Sequence, residues 1–243
     1  MRVVYPRFRH VICVSKLLED YFAGRNVIRI PALMDGSPPV SSRVSPTSGV
    51  FFLYAGQPGR KDRLVSFIRV LPRIQEALGR PVVLHVAGLD DRELQQLLLS
   101  DGMDLAAYRT LIECHGRVAR ERVSELYRQS HFSILFREDK RYAHAGFPTK
   151  AVESWSHGCP VILNPVGDVG KLARHMVDAI VVDEDRLEVQ LVPALQASSD
   201  PDRYSMMFAK SREKAGRLFS LEAYQLAFTR FAERLGIRLE RHG

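Results

Sequence analysis

Short apolar runs alternate with segments of helical period along most of this chain, and that alternation limits its fold more than any other feature. Val11–Ser15 reads as a strand, Lys16–Ala23 as a helix, and Val27–Ile30 as a second strand closed by Pro31. Further apolar runs lie at Val50–Ala55, Val82–Ala87, Leu111–His115, Phe132–Phe136, Val161–Leu163 and Ile180–Val182. Between them, Leu64, Phe67, Ile68 and Leu71 mark one helical face, and Val123, Leu126 and Tyr127 another. Runs that are apolar on both faces and alternate with helices predict an α/β fold. The expected form is a Rossmann-like, doubly wound parallel sheet of about six strands. From Leu187 the pattern is helical and ends in Leu221–Leu235, so extra C-terminal helices are expected. The Ser-, Pro- and Gly-rich stretch over 36–49 reads as a linker, with the main domain over 50–243.

Composition bounds the function. With 46% hydrophobic and 26% charged residues, the 243-residue chain has the material for a packed core. The net charge of +7 suits an anionic ligand such as a nucleotide diphosphate, an anionic membrane surface or nucleic acid, and equally suits plain solubility. Nucleic acid is disfavoured, because neither a helix-turn-helix nor an aromatic RNA-binding motif appears. No apolar run reaches the roughly 18–20 residues of a membrane span. The basic and apolar N-terminus lacks a small-residue cleavage site and reads as structure, not a signal peptide. Cys13, Cys114 and Cys159 are widely separated, so neither a zinc site nor a disulfide framework is expected, and a reducing cytoplasm is the default location. The eight histidines show no H-E-x-x-H or paired spacing, and no metal site is expected from them.

In an open parallel sheet, ligands bind beyond the carboxyl ends of the strands. Those loops are Gly56–Arg63, Gly88–Asp91, Gly116–Arg120, Arg137–Pro148 and Asn164–Gly170. In the first, Gly56 and Gly59 let backbone approach a ligand, while Arg60 and Lys61 can face a diphosphate. It is no P-loop, and neither is Gly167–Leu172, where Pro165 and Leu172 break the pattern. A Gly-rich turn beside basic residues is also what a solvated loop looks like. Farther on, Pro148 opens a helix that Gly158 ends, with Lys150 and Glu153 one turn apart. Glu153 has two readings. It can accept hydrogen bonds from a ribose diol near a positive helix end, or form a surface pair with Lys150 contributing roughly 0.2–0.5 kcal/mol. Spacing alone favours the surface pair. Trp155, mid-helix, reads as core.

Four motifs then carry a resemblance. The run Gly146–Ile162, GFPTKAVESWSHGCPVI, resembles the donor-site signature of family 4 retaining GT-B glycosyltransferases, in their bacterial polysaccharide-building branch. YAGQPGRKD is similar to that branch's phosphate loop, HGRVARERVSELY to its base-binding loop, and RNVIRIPALMD to its interdomain hinge. The resemblance implies that Glu153 holds the ribose hydroxyls, and that Arg60 and Lys61 neutralise the diphosphate and stabilise the leaving group. It implies base contacts from Gly116, Arg117 and Val118, mainly through backbone. It places Gly56 and Gln57 in the phosphate loop, Gly146, Phe147 and Thr149 around diphosphate and sugar, and Arg137 and Lys150 along the cleft. No cofactor and no metal is implied beyond the nucleotide-diphospho-sugar itself. Two positions depart from the wider family: Ala145 stands where a second Glu contacts the sugar, and Gln57 where many members have Arg.

The implied function is the donor-binding half of a hexosyltransferase acting on a glycan or lipid-linked acceptor. Residues 1–35 are expected to be the remnant of an N-terminal acceptor domain and its hinge. Such a half is expected to bind donor and to transfer sugar poorly unless an N-terminal-half partner chain or self-association completes it. An apolar stripe of Leu221, Tyr224, Phe228 and Phe231 is expected to face that partner. The expected location is cytoplasmic, with peripheral contact at the inner face of the membrane. A non-catalytic nucleotide-sugar-binding subunit and half of a GT-B sugar-nucleotide epimerase remain open as alternatives.

Overall fold

The alternation of apolar runs and helices closes into two parallel sheets. The computed structural model describes residues 8–34, 45–59 and 61–237; Arg60 and most of the expected linker, 35–44, lie outside them. A small unit comes first: β1 (His10–Cys13), α1 (Lys16–Tyr21) and β2 (Asn26–Arg29), with β1 and β2 paired in parallel. Ser15 caps α1 by accepting from the Leu18 amide.

The main sheet contains β3 (Val50–Ala55), β4 (Val82–Ala87), β5 (Ile112–Gly116), β6 (Phe132–Leu135), β7 (Val161–Leu163) and β8 (Ala179–Val181). Its spatial order is β5-β4-β3-β6-β7-β8, all parallel, with six strands as the sequence pattern led one to expect. The chain winds outward from β3 to β5, then returns to the far side of β3 with β6. The order therefore reverses between β3 and β6, the switch point at which open α/β sheets ordinarily bind ligands.

Helices cover both faces. On one, α2 (Leu64–Leu78), α3 (Asp91–Leu99) and α8 (Leu187–Ala197) bury Phe67, Ile68, Leu94 and Leu191 against Phe52, Leu84 and Ile134. Asp90 and Glu93 form a capping box that sets the start of α3. On the other face, α4 (Arg120–Gln129) seats Leu126 and Tyr127 on Leu53 and Ala87. Beside it lie α5 (Arg141–Ala145), α6 (Thr149–Ser156) and α7 (Gly167–Leu172), with α9 (Pro201–Phe219) packed across α6. The C-terminal α10 (Glu222–Glu233) crosses β2.

That crossing alters the expected apolar stripe. Leu221 is 51% exposed and Phe228 38%, yet Phe231 is only 5% exposed, because α10 turns it inward as it packs on β2. Among the described residues, no helix is long and apolar enough to cross a membrane.

Trp155 is core, as its mid-helix position suggested. Its ring stacks on Phe219 with centroids 5.7 Å apart and Lys214 Nζ lies 4.4 Å from its centre. Its indole N–H donates to the Asp178 carbonyl at 2.8 Å. Lys214 in turn pairs with fully buried Asp178, which also holds Arg174. One aromatic ring thus joins α6, α9 and the turn before β8. Trp155→Ala should cost about 3–5 kcal/mol in urea unfolding followed by circular dichroism.

Candidate functional site

The crevice between β3 and β6 is lined by charge. Beyond β3 the chain turns through Gly56 and returns at Asp62, which bridges antiparallel to Arg137 just past β6. The Arg63 amide donates to the Phe136 carbonyl at 2.8 Å, so the two loops are tied side by side. Asn164, after β7, clamps the second loop: its Oδ1 accepts from the Arg137 amide at 2.9 Å and its Nδ2 donates to the Arg137 carbonyl at 2.7 Å.

Asp62 is the hub. Its side chain is 4% exposed, and Lys150 Nζ, from the first turn of α6, donates to its Oδ2. Tyr54 hydroxyl donates to the same oxygen at 2.8 Å and accepts from Lys150 at 2.7 Å. Arg137 Nε stands 3.4 Å from Oδ1 as an ion pair. Neither of these two atoms has a hydrogen-bond partner among the described residues. One buried carboxylate thus faces two half-buried cations, leaving a net positive charge in the crevice. Burial lowers Lys150 from its ordinary pKa, while Asp62 pulls it up and Arg137 pushes it down. Burial, then the Asp62 charge, raises Tyr54, which stays a neutral donor.

Gly56 is required by this packing. Its φ is +124°, and a Cβ there would meet Lys150 Cε at 2.7 Å. Gly88 repeats the theme one strand over, where a Cβ would strike the Gly56 carbonyl at 2.6 Å. Pro148 precedes α6, whose first turn is left without a side-chain cap. The positive end of its dipole lies beside Lys150, an arrangement that suits an anion.

Lys150 turns to Asp62 instead of pairing with Glu153 one turn on, so the surface-pair reading of Glu153 fails. Glu153 is half-buried, with Tyr127 hydroxyl 3.5 Å from its Oε2. Tyr127 is fully packed between α4 and the sheet, stacked on His157, and held protonated chiefly by burial and then by the Glu153 charge.

The structure thus gathers Gly56, Arg137, Gly146, Lys150 and Thr149 around the crevice, with Glu153 one turn deeper. Lys61 is exposed at the mouth, as is Gln57. Gly116, at φ +63°, ends β5, and Val118 follows it and packs on the cluster containing Tyr127. Arg117 points outward with its guanidinium 3.7 Å from Glu93, leaving backbone as its inward-facing part. Phe147 is directed elsewhere: its ring meets Phe219 at 5.5 Å in the core under α9. Arg60 lies outside the described residues. The sequence reading passed over Asp62 and Tyr54. The signal was an acid directly after two cations in a loop that suits an anion.

A six-stranded, doubly wound parallel sheet closed by C-terminal helices is the fold of a GT-B C-terminal domain. Residues 49–197 match the family described as Glycosyl transferases group 1, and the chain belongs to that family. Its fold is similar to the pneumococcal O-GlcNAc transferase GtfA, solved with UDP and GlcNAc, with a TM-score of 0.68 at 16% identity. That match covers 96% of this chain and 46% of GtfA. Sucrose-phosphate synthase from Thermosynechococcus elongatus gives a TM-score of 0.70 at 17% identity, covering 93% and 58%. WaaG, a glycosyltransferase involved in lipopolysaccharide biosynthesis, gives 0.64 at 15%, covering 93% and 62%. The chain therefore spans roughly half the length of these structures. No curated protein matches it by sequence.

Removing the hub should be costly, because two half-buried cations lose their shared counter-charge. Asp62→Ala is expected to destabilise the fold by about 3–5 kcal/mol in chemical denaturation. A loss below about 1 kcal/mol would mean that the cluster is hydrated and weakly coupled.

Proposed function

We propose that this chain binds a nucleotide-diphospho-sugar in the β3/β6 crevice and supplies the donor half of a retaining glycosyl transfer to a glycan or lipid-linked acceptor. The carrying observation is the Arg137–Asp62–Lys150 cluster, set at the uncapped start of α6 and at the point where strand order reverses. A diphosphate placed there meets net positive charge and the positive end of the α6 dipole. Lys61 at the crevice mouth, with its neighbour Arg60, would close on the same group.

In this reading Glu153, with Tyr127 orienting it, accepts from the ribose diol, and Gly116, Arg117 and Val118 line the base with backbone. Gly146 and Thr149 frame diphosphate and sugar, while Phe147 braces the loop from the core side. Catalysis is electrostatic. As the bond between the anomeric carbon and the diphosphate breaks, the departing oxygen gains charge, and fixed cations and amides stabilise it without reorganising.

The acceptor side is proposed to come from an N-terminal half, whether in the same longer chain or in a partner. Supporting this, the β1/β2 pair leaves Phe8 53%, Ile12 54% and Tyr21 57% exposed, whereas parallel sheets are ordinarily covered on both faces.

Three measurements test the reading. Glu153→Ala should weaken whichever of UDP and GDP binds by about 1.5–3 kcal/mol in calorimetric titration, the worth of a charge-assisted hydrogen-bond pair. Unchanged affinity would remove Glu153 from the site. Replacing Arg60 and Lys61 together by Ala should weaken the diphosphate far more than the matching nucleoside and flatten its salt dependence. Equal losses for both ligands would place these cations elsewhere. Finally, the isolated chain should bind labelled nucleotide sugar yet turn over slowly with lipid-linked acceptors, since positioning both reactants is worth roughly 7–11 kcal/mol. Fast transfer by the isolated chain would exclude dependence on a further half.

A further inference from the structure

Outside the crevice, three side chains converge on the edge of the main sheet. His85 on β4 pairs in register with Glu113 on β5, and His115 follows two residues later on the same face. The register slips here: Val86 faces Cys114, while Ala87 faces Gly116, so His115 is the extra residue of a bulge. A bulge re-aims the side chain it carries, and this one turns His115 toward His85. Their ring centroids are 5.2 Å apart and His85 Nδ1 lies 3.1 Å from His115 Nε2. The Glu113 carboxylate straddles the pair, with Oε2 3.4 Å from His85 Nδ1 and Oε1 3.8 Å from His115 Nε2.

A single hydrogen bond joins the two imidazoles and does not engage the Glu113 carboxylate. Each neutral imidazole has one N–H, and His85 Nδ1 faces both the other imidazole nitrogen and a carboxylate oxygen, so one hydrogen cannot serve both. A cation at the centre would be bound by all three groups. With metal–nitrogen bonds of roughly 2.0–2.1 Å, the edges of a tetrahedral site are about 3.3 Å long, and the observed separations of 3.1, 3.4 and 3.8 Å bracket that length. The two imidazoles are sheltered, at 14% and 9% side-chain exposure, while Glu113 is 59% exposed and leaves the fourth position open to water. The field of Arg122 opposes a cation here, but its guanidinium is paired with Glu125 at 3.0 Å.

We propose that His85, Glu113 and His115 form a site for a divalent transition metal of the zinc class, tying β4 to β5 just before the Gly116 turn. The site is independent of the donor-binding reading. It departs from the absence of a metal site expected from sequence, because strand register, not sequence spacing, assembles it.

The test uses the untagged chain, stripped with chelator and titrated with Co²⁺ under visible absorbance. One equivalent of Co²⁺ should give the intense d–d bands of a four-coordinate ion, and Zn²⁺ should displace it. Glu113→Ala, exposed on an edge strand and therefore tolerated by the fold, should weaken binding by more than about tenfold. The His85→Ala/His115→Ala double variant, checked for folding by circular dichroism, should abolish the bands. Wild-type chain that takes up no Co²⁺, or gives only the weak bands of a hydrated six-coordinate ion, would overturn the proposal. So would binding unchanged in both variants, which would assign the metal to surface histidines such as His10, His144 or His175.

Discussion

A single buried carboxylate organises the crevice. Asp62 is nearly sealed from solvent and holds Lys150, Tyr54 and Arg137, groups from three separate parts of the chain. Burying one of these cations alone would be prohibitive, and burying both is tolerable only around a shared counter-charge. A side chain at Gly56 would meet Lys150, and one at Gly88 would meet the Gly56 carbonyl, so both positions leave room only for glycine.

Strand order explains why this cluster sits where a ligand would. Helices on both faces and the β3/β6 reversal leave the carboxyl ends of these two strands uncovered. Asp62 and Arg137 bridge that gap from opposite banks, and Asn164 fastens the far bank. The cations are therefore pre-positioned by protein contacts and need not be ordered by the ligand, which lowers the entropy cost of binding an anion. The same logic makes Lys61, exposed at the mouth, a different kind of residue from Lys150, which is held in place.

The small β1–α1–β2 unit is joined to the main sheet's loops through hydrogen bonds and an ion pair. Asp168 at the start of α7 accepts from the Lys16 amide at 2.6 Å and pairs with Arg29 at 3.2 Å. Ser15 donates to the Ala145 carbonyl at 2.9 Å. The β1–α1–β2 unit is thereby docked against the loops leading into the crevice, so movement of that unit would be felt at α5, directly before the Gly146 turn.

Period and spacing alone determined the class of fold here. Runs such as Val50–Ala55, Val82–Ala87 and Val161–Leu163 became strands with those same bounds, since an apolar run of that length between helices has few other places to go. The GFPTK run and its neighbours pointed to the family that residues 49–197 then matched. What sequence left open was which charges meet. Lys150 stands one helical turn from Glu153, the obvious local partner, and ends on Asp62, eighty-eight positions away. Phe147 sits inside the signature yet packs on Phe219. His85, Glu113 and His115 become neighbours only through the β4–β5 register and its bulge. Local pattern is set by the energy of burying one face of one element, which a sequence carries in its periodicity. Pairings between elements depend on the order and register in which strands assemble, and only the folded chain decides those.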